Sequence, residues 1–126
     1  MKYRSKILLL GFSLILFTSF GMNQIKAIPP ADGTLNIGAP TEFNGQTFNM
    51  YYDIVIAGGI SVNFTNCVFK FLNTTTASKI DIQNFASVRF IGCDFEGKTA
   101  GTGYIDSKTD SNLFFSGCNF LDVETP

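Results

Sequence analysis

The chain has 126 residues, with 14 Phe and 3 Cys but no His and no Trp, a length that suits one domain. Residues 28–126 keep five basic side chains (Lys70, Lys79, Arg89, Lys98 and Lys108) against ten acidic ones, a net charge of −5. With no basic patch, nucleic acid is excluded as an expected partner and an anionic membrane surface is disfavoured.

Residues 1–27 have the order of a secretory signal peptide. Lys2, Arg4 and Lys6 form a basic start, Ile7 to Phe20 an apolar run, and a polar stretch ends in Ile25-Lys26-Ala27. The apolar run of 14 residues is shorter than the roughly 20 a spanning helix needs. The spacing predicts a signal peptide helix cleaved after Ala27 rather than a retained anchor. The mature chain is then expected to be secreted, at the cell surface or periplasmic.

Residues 28–39, which include Ile28-Pro29-Pro30 and Leu35-Asn36-Ile37, are expected to cover the first coil of a repeat domain over 40–126. In that domain one pattern recurs: Phe64-Thr65-Asn66-Cys67-Val68-Phe69, Phe90-Ile91-Gly92-Cys93-Asp94-Phe95 and Phe115-Ser116-Gly117-Cys118-Asn119-Phe120. A weaker first copy, Phe43 to Phe48, has Gln46 at the Cys position. The cysteines are 26 and then 25 residues apart, and self-similarity at such a period marks stacked repeats.

Within each repeat, Val62, Val88 and Leu113 stand two places before the first Phe, the spacing of a strand with one face inward. The Cys stands three places after it, an odd step that no single strand keeps on one face. The chain must bend between them, at Gly45, Asn66, Gly92 or Gly117, residue types that tolerate a left-handed backbone. A third strand precedes these two. Ile54-Val55-Ile56, Ile80-Asp81-Ile82 and Ile105-Asp106-Ser107 each begin ten residues before the first Phe of their repeat. Gly58-Gly59, Asn84 and Thr109-Asp110 follow as turn residues. Three short strands per coil, joined at corners, are therefore predicted. The last Phe of one coil and the first Ile of the next are separated by five, ten or nine residues, so length variation falls at one corner.

On these residues the chain resembles the right-handed single-stranded parallel β-helix, the pectin-lyase-like superfold, over roughly residues 35–122. The resemblance implies an all-β domain of about four short coils. Matching side chains would lie about 4.8 Å apart in internal ladders: Phe64, Phe90 and Phe115; Cys67, Cys93 and Cys118; Phe69, Phe95 and Phe120. One coil alone buries too little to offset the entropy of ordering its residues, so stability requires stacking. Residues 121–126 are too few to hide the last coil, so the expectation is either that the natural protein continues beyond Pro126 or that this uncapped coil meets a partner, self-association being one such contact.

The cysteines lack His partners and zinc-type spacing, so they read as an inward ladder of free thiols, with a strained bridge as the alternative. Asp81 and Asp106 share an outward position, as do Asp94 and Asn119. They read as solvated carboxylates, with a shared Ca²⁺ the competing idea. No metal site and no cofactor are expected.

The candidate binding residues are Tyr51, Tyr52, Phe71, Asn73, Thr75, Arg89 and Tyr104. All but Arg89 lie at the variable corner, where aromatic rings beside hydroxyl and amide groups suit sugars. Arg89, expected outward between Asn63 and Phe114, reads as a cation–π partner. The family's lyases use an Arg or Lys base beside acidic calcium ligands. Their arginine cluster is missing here, as are the Asn-Thr-Asp, Asp-Asp and Gly-His-Gly motifs of its polygalacturonases. No catalytic residue is assigned. The expected function is a non-catalytic module, structural or binding polysaccharide or a surface protein, and the alternative is a partial or degenerate polysaccharide lyase or hydrolase.

Overall fold

The structure is a computed structural model and describes residues 33–124. The signal peptide reading and residues 28–32 lie outside the described residues. Twelve strands follow in order: β1 (Leu35–Ile37), β2 (Thr41–Asn44), β3 (Thr47–Met50), β4 (Ile54–Ile56), β5 (Ser61–Thr65), β6 (Val68–Phe71), β7 (Ser78–Ile82), β8 (Ser87–Ile91), β9 (Asp94–Gly97), β10 (Gly103–Ser107), β11 (Asn112–Ser116) and β12 (Asn119–Leu121). They form three four-stranded sheets: β1-β4-β7-β10, β2-β5-β8-β11 and β3-β6-β9-β12. All strand pairs in these sheets are parallel. Each run of three strands is one tier of a β-solenoid, and the chain steps up one strand spacing three times. β1 pairs with β4 and so belongs to the lowest tier.

The register stacks like on like. Phe43, Phe64, Phe90 and Phe115 are successive partners in the second sheet; Phe48, Phe69, Phe95 and Phe120 are partners in the third. Ring centroids in the second-sheet stack are 5.1 Å apart at every step, and in the third 4.9, 5.0 and 4.8 Å. These distances follow the strand spacing itself. Within a tier the two stacks meet edge to face, for example Phe64 and Phe69 at 5.1 Å and 77°. Both arrangements suit the ring quadrupole, and each pair contributes about 0.5–1.5 kcal/mol beyond area burial. Ile54, Ile80 and Ile105 form the matching ladder of the first sheet.

Both fixed corners use left-handed backbone. Between the second and third sheets φ is 67° at Gly45, 54° at Asn66, 63° at Gly92 and 64° at Gly117, as the residue types there predict. A Cβ on Gly92 would come 2.5 Å from Oδ1 of Asn66 below it. Between the first and second sheets the left-handed residues are Gly59, Phe85 and Asp110, with φ of 76°, 67° and 63°. Asn84 is thus beside the strained position rather than on it. β7 and β10 begin at Ser78 and Gly103, two residues ahead of the expected Ile, because Gly103 and Ser78 already pair in register.

The three cysteines are free thiols. Each donates from Sγ to the Phe carbonyl one tier down: Cys67 to Phe43 at 3.5 Å, Cys93 to Phe64 at 3.3 Å and Cys118 to Phe90 at 3.2 Å. Cys67 and Cys93 are fully buried. Cys93 is pushed above its ordinary value by its neighbour Cys67 and by burial, which keeps it a protonated donor.

Candidate ligand-binding corner

The connections from the third sheet back to the first do not repeat. They are 51–53, 72–77 and 98–102, and their unequal lengths leave a recess where the longer loop 72–77 overhangs the shorter 51–53. The recess is a cavity of about 260 Å³. Tyr51, Tyr52 and Asp53 line one side, Asn73, Thr76, Ala77 and Ser78 the other, and Thr34 its lower rim. Tyr51 and Tyr52 are 46% and 44% exposed, high for aromatic side chains in so apolar a fold.

Asn73 holds the overhanging loop in shape. Its Nδ2 donates to the Tyr51 carbonyl at 2.9 Å, and its Oδ1 accepts from the backbone N–H groups of Thr75 (2.9 Å) and Thr76 (3.1 Å). Both ends of this amide are thus engaged within the protein, forming an Asx-type turn, and its role is to position Tyr51 against the loop. Asp53 is fixed similarly: Oδ1 accepts from the Lys79 N–H at 2.9 Å. Its carboxylate is the single charge in the lining.

The seven expected binding residues therefore divide. Tyr51, Tyr52 and Asn73 come together at the cavity, and Thr75 is tied to it through Asn73. Tyr104 is half-buried on β10, in register with Lys79, and does not line the recess. Phe71 requires a correction. It is fully buried, because it shares the inward phase of β6 with Phe69. Its ring lies where a Cβ on Gly103 would have to go. Arg89 is on the outer face of the second sheet, with its guanidinium 4.5 Å from the Phe114 ring centroid. It stacks as expected and is not among the residues of the recess.

No known protein family, curated protein or solved structure matches this chain. The chemistry of the corner is read from its own geometry. Two exposed phenol rings offer flat apolar faces with polar tips, and Asp53, Thr34 and Thr76 add oxygen acceptors and hydroxyl groups around them. Thr34, Asp53 and Ser78 were not among the expected residues. The loops that bring them together differ in length from tier to tier, so no repeat pattern flags them.

The stacked carboxylates Asp81 and Asp106 have a different resolution from a shared Ca²⁺ or bulk solvent. Lys79 and Lys108 stand beside them. Lys108 Nζ is 3.1 Å from Asp81 and 2.5 Å from Asp106, and Lys79 Nζ is 3.5 Å from each. Gln83 donates to Asp81 at 2.8 Å. The hydrogen bond from Lys108 holds Asp106 below the usual carboxylate range. The hydrogen bonds to Asp106 and Asp81 raise Lys108. For Lys79, burial opposes the charged form, but the field of Asp81 and its neighbours outweighs it and the net shift is upward. Among the described residues no three His, Cys, Asp or Glu side chains converge as metal ligands would. Asp94 accepts from Asn119 at 2.8 Å, so that pair is a ladder hydrogen bond.

Proposed function

We propose that this protein is an exported, non-catalytic module of the right-handed, pectin-lyase-like kind that binds polysaccharide at the corner between its third and first sheets. The observation that carries the reading is the pair of exposed tyrosines, Tyr51 and Tyr52, at the mouth of a cavity of about 260 Å³, close to the volume range of small-ligand sites. Sugar rings present C–H faces to aromatic rings and hydroxyl groups to polar side chains. Asp53, with one oxygen fixed by the Lys79 N–H, supplies an acceptor at a defined place. Because Asp53 is the only charged lining residue, the site suits neutral sugars and repels uronates.

Right-handed winding is the usual sense for parallel strands joined by crossovers. Catalysis is not favoured by the placement of the one arginine among the described residues. Arg89 is stacked on Phe114 in the second sheet and does not line the recess.

A glycan array spanning neutral and acidic polysaccharides, with a reducing-end assay on the same set, tests the reading. Binding to neutral glycans without cleavage is expected, weakened about tenfold or more in Tyr52→Ala, the loss of about 1.4 kcal/mol or more of binding free energy. Absence of binding across the array would overturn it, as would cleavage abolished by Arg89→Ala.

A further inference from the structure

The Ser78 hydroxyl sits in the wall of the recess without a partner. Ser78 is only 2% exposed, because it shares the inward phase of β7 with Ile80 and Ile82, yet it lines the cavity. Its N–H donates to the Thr102 carbonyl at 3.1 Å. The side-chain hydrogen bonds of Asn73 and Asp53 tie the recess together, and none of them uses the Ser78 hydroxyl, which has no partner among the described residues. Thr102, the other buried hydroxyl among them, is fully engaged: Oγ1 donates to the Thr99 carbonyl at 2.8 Å and accepts from the Lys98 N–H at 3.0 Å. Small size alone does not explain a serine at position 78. Its partner on β10 is Gly103, whose missing side chain leaves room for the Phe71 ring, but alanine would be as small without burying a polar atom. An unpaired buried hydroxyl destabilises a fold, so one kept in a cavity wall points to a group that enters the cavity.

Asp53 is the acceptor beside it. Its Oδ1 accepts from the N–H of Lys79, the residue next to Ser78, so carboxylate and hydroxyl stand close together on the first-sheet side. Its Oδ2 has no partner among the described residues. A carboxylate that only accepts, next to a hydroxyl that both donates and accepts, complements two hydroxyl groups on one ring. We infer that the recess takes the terminal unit of a neutral glycan and that Ser78 reads one hydroxyl of that unit. The inference rests on the glycan-binding reading of the same corner and narrows its ligand to a chain end. The recess of about 260 Å³ equals about nine waters at roughly 30 Å³ each, room for one pyranose ring and not two. A unit inside a chain carries a glycosidic link on both sides. It can lie across Tyr51 and Tyr52 at the mouth, where both rings are nearly half exposed, but only a ring that enters the recess reaches Ser78. An end unit has a single link and enters with that link pointing out past the tyrosines.

Isothermal titration calorimetry of the purified protein tests this, with methyl glycosides of glucose, galactose and mannose, their monodeoxy forms and linear oligosaccharides of each sugar as probes. The expected result is binding of one sugar series, with the same affinity per chain for short and long oligomers and displacement by the methyl glycoside alone. Ser78→Ala should lower that affinity about tenfold, the scale of one hydrogen bond. Its melting temperature should be unchanged or higher, because the substitution removes an unpaired buried hydroxyl. One monodeoxy form should bind wild type and variant equally, which identifies the hydroxyl that Ser78 reads. Affinity that climbs in proportion to chain length, or that Ser78→Ala leaves untouched, overturns the inference, while the loss of binding in Tyr52→Ala keeps the glycan reading standing. A lower melting temperature in Ser78→Ala also overturns the inference, since it means that the hydroxyl is bonded within the fold. Absence of binding to every neutral probe overturns the glycan reading and the inference with it.

Discussion

The rings of Phe64 and Phe90 lie 5.1 Å apart with their planes 6° from parallel, although 26 residues of chain separate them. Phe90 is fully buried and touches Phe69, Phe95 and Phe115 as well. Truncating it removes contacts in three tiers at once. Phe90→Ala should cost about 3–5 kcal/mol, the range for a large aromatic deleted from a core. Phe120→Ala, at the partly open end, should cost clearly less in the monomer. Denaturant unfolding of the two variants at low concentration checks the order; equal costs would mean the ladder is not continuous.

Phe85 occupies a left-handed backbone position, with φ of 67°, while its side chain is 66% exposed. The same corner holds Gly59 and Asp110 in the tiers below and above. A bulky residue there bears a conformational cost of about 1–2 kcal/mol without the compensation of burial. Phe85→Asn should therefore stabilise the fold by about 1 kcal/mol, which in a domain of this size raises the melting temperature by about 4–8 °C. Thermal unfolding of the variant measures this, and an unchanged or lower midpoint would show that the ring makes a compensating contact.

Cys67 and Cys93 are fully buried and Cys118 is only partly so. A chromogenic thiol reagent applied to dilute native protein should modify Cys118 first and the other two only as the fold opens. In denaturant all three should react, and Cys118→Ala should remove the early phase. Fewer than three thiols under denaturing, non-reducing conditions would instead reveal a disulfide.

The four charges around Asp81 and Asp106 predict a pH profile. Asp106 is lowered in the folded state, so its contribution is present above the unfolded carboxylate pKa and is lost as pH falls through the lower folded value. Lys79 and Lys108 are raised, so theirs is complete below the unfolded lysine pKa and is lost as pH rises through the higher folded value. Lys108→Gln removes the principal partner of both carboxylates. The advantage of wild type over variant in melting temperature should be level through neutral pH. It should narrow below about pH 4 and above about pH 10, near the ordinary carboxylate and lysine values. An advantage that does not change with pH would assign Lys108 a packing role alone.

The tier was legible where identical residues recur. The Phe-x-x-Cys-x-Phe core carried the register of the second and third sheets, and the Gly or Asn before each Cys marked the left-handed corner. Where residue types change along a ladder, repetition offers no signal. Phe71 is in register with Met50 and Gly97, three unlike residues, and its inward direction follows only from sharing parity with Phe69. Parity also places Lys79 and Lys108, each two residues from an Asp, on the outward face beside the carboxylates. The left-handed position of Phe85 follows from alignment with Gly59, against the preference of the residue type itself. The recess beside Tyr51 and Tyr52 arises from a mismatch between loops of different length, which no periodic reading of the chain can show.

The central claim is that the chain rises as one parallel spiral with like residues stacked in register. Nuclear Overhauser contacts between backbone protons of the second sheet test it most directly. The account predicts the parallel pattern linking Phe64 to Phe90 and Phe90 to Phe115, with Val62, Val88 and Leu113 offset by the same steps. An antiparallel pattern, or contacts displaced by one residue so that Arg89 and Phe64 become partners, would contradict it.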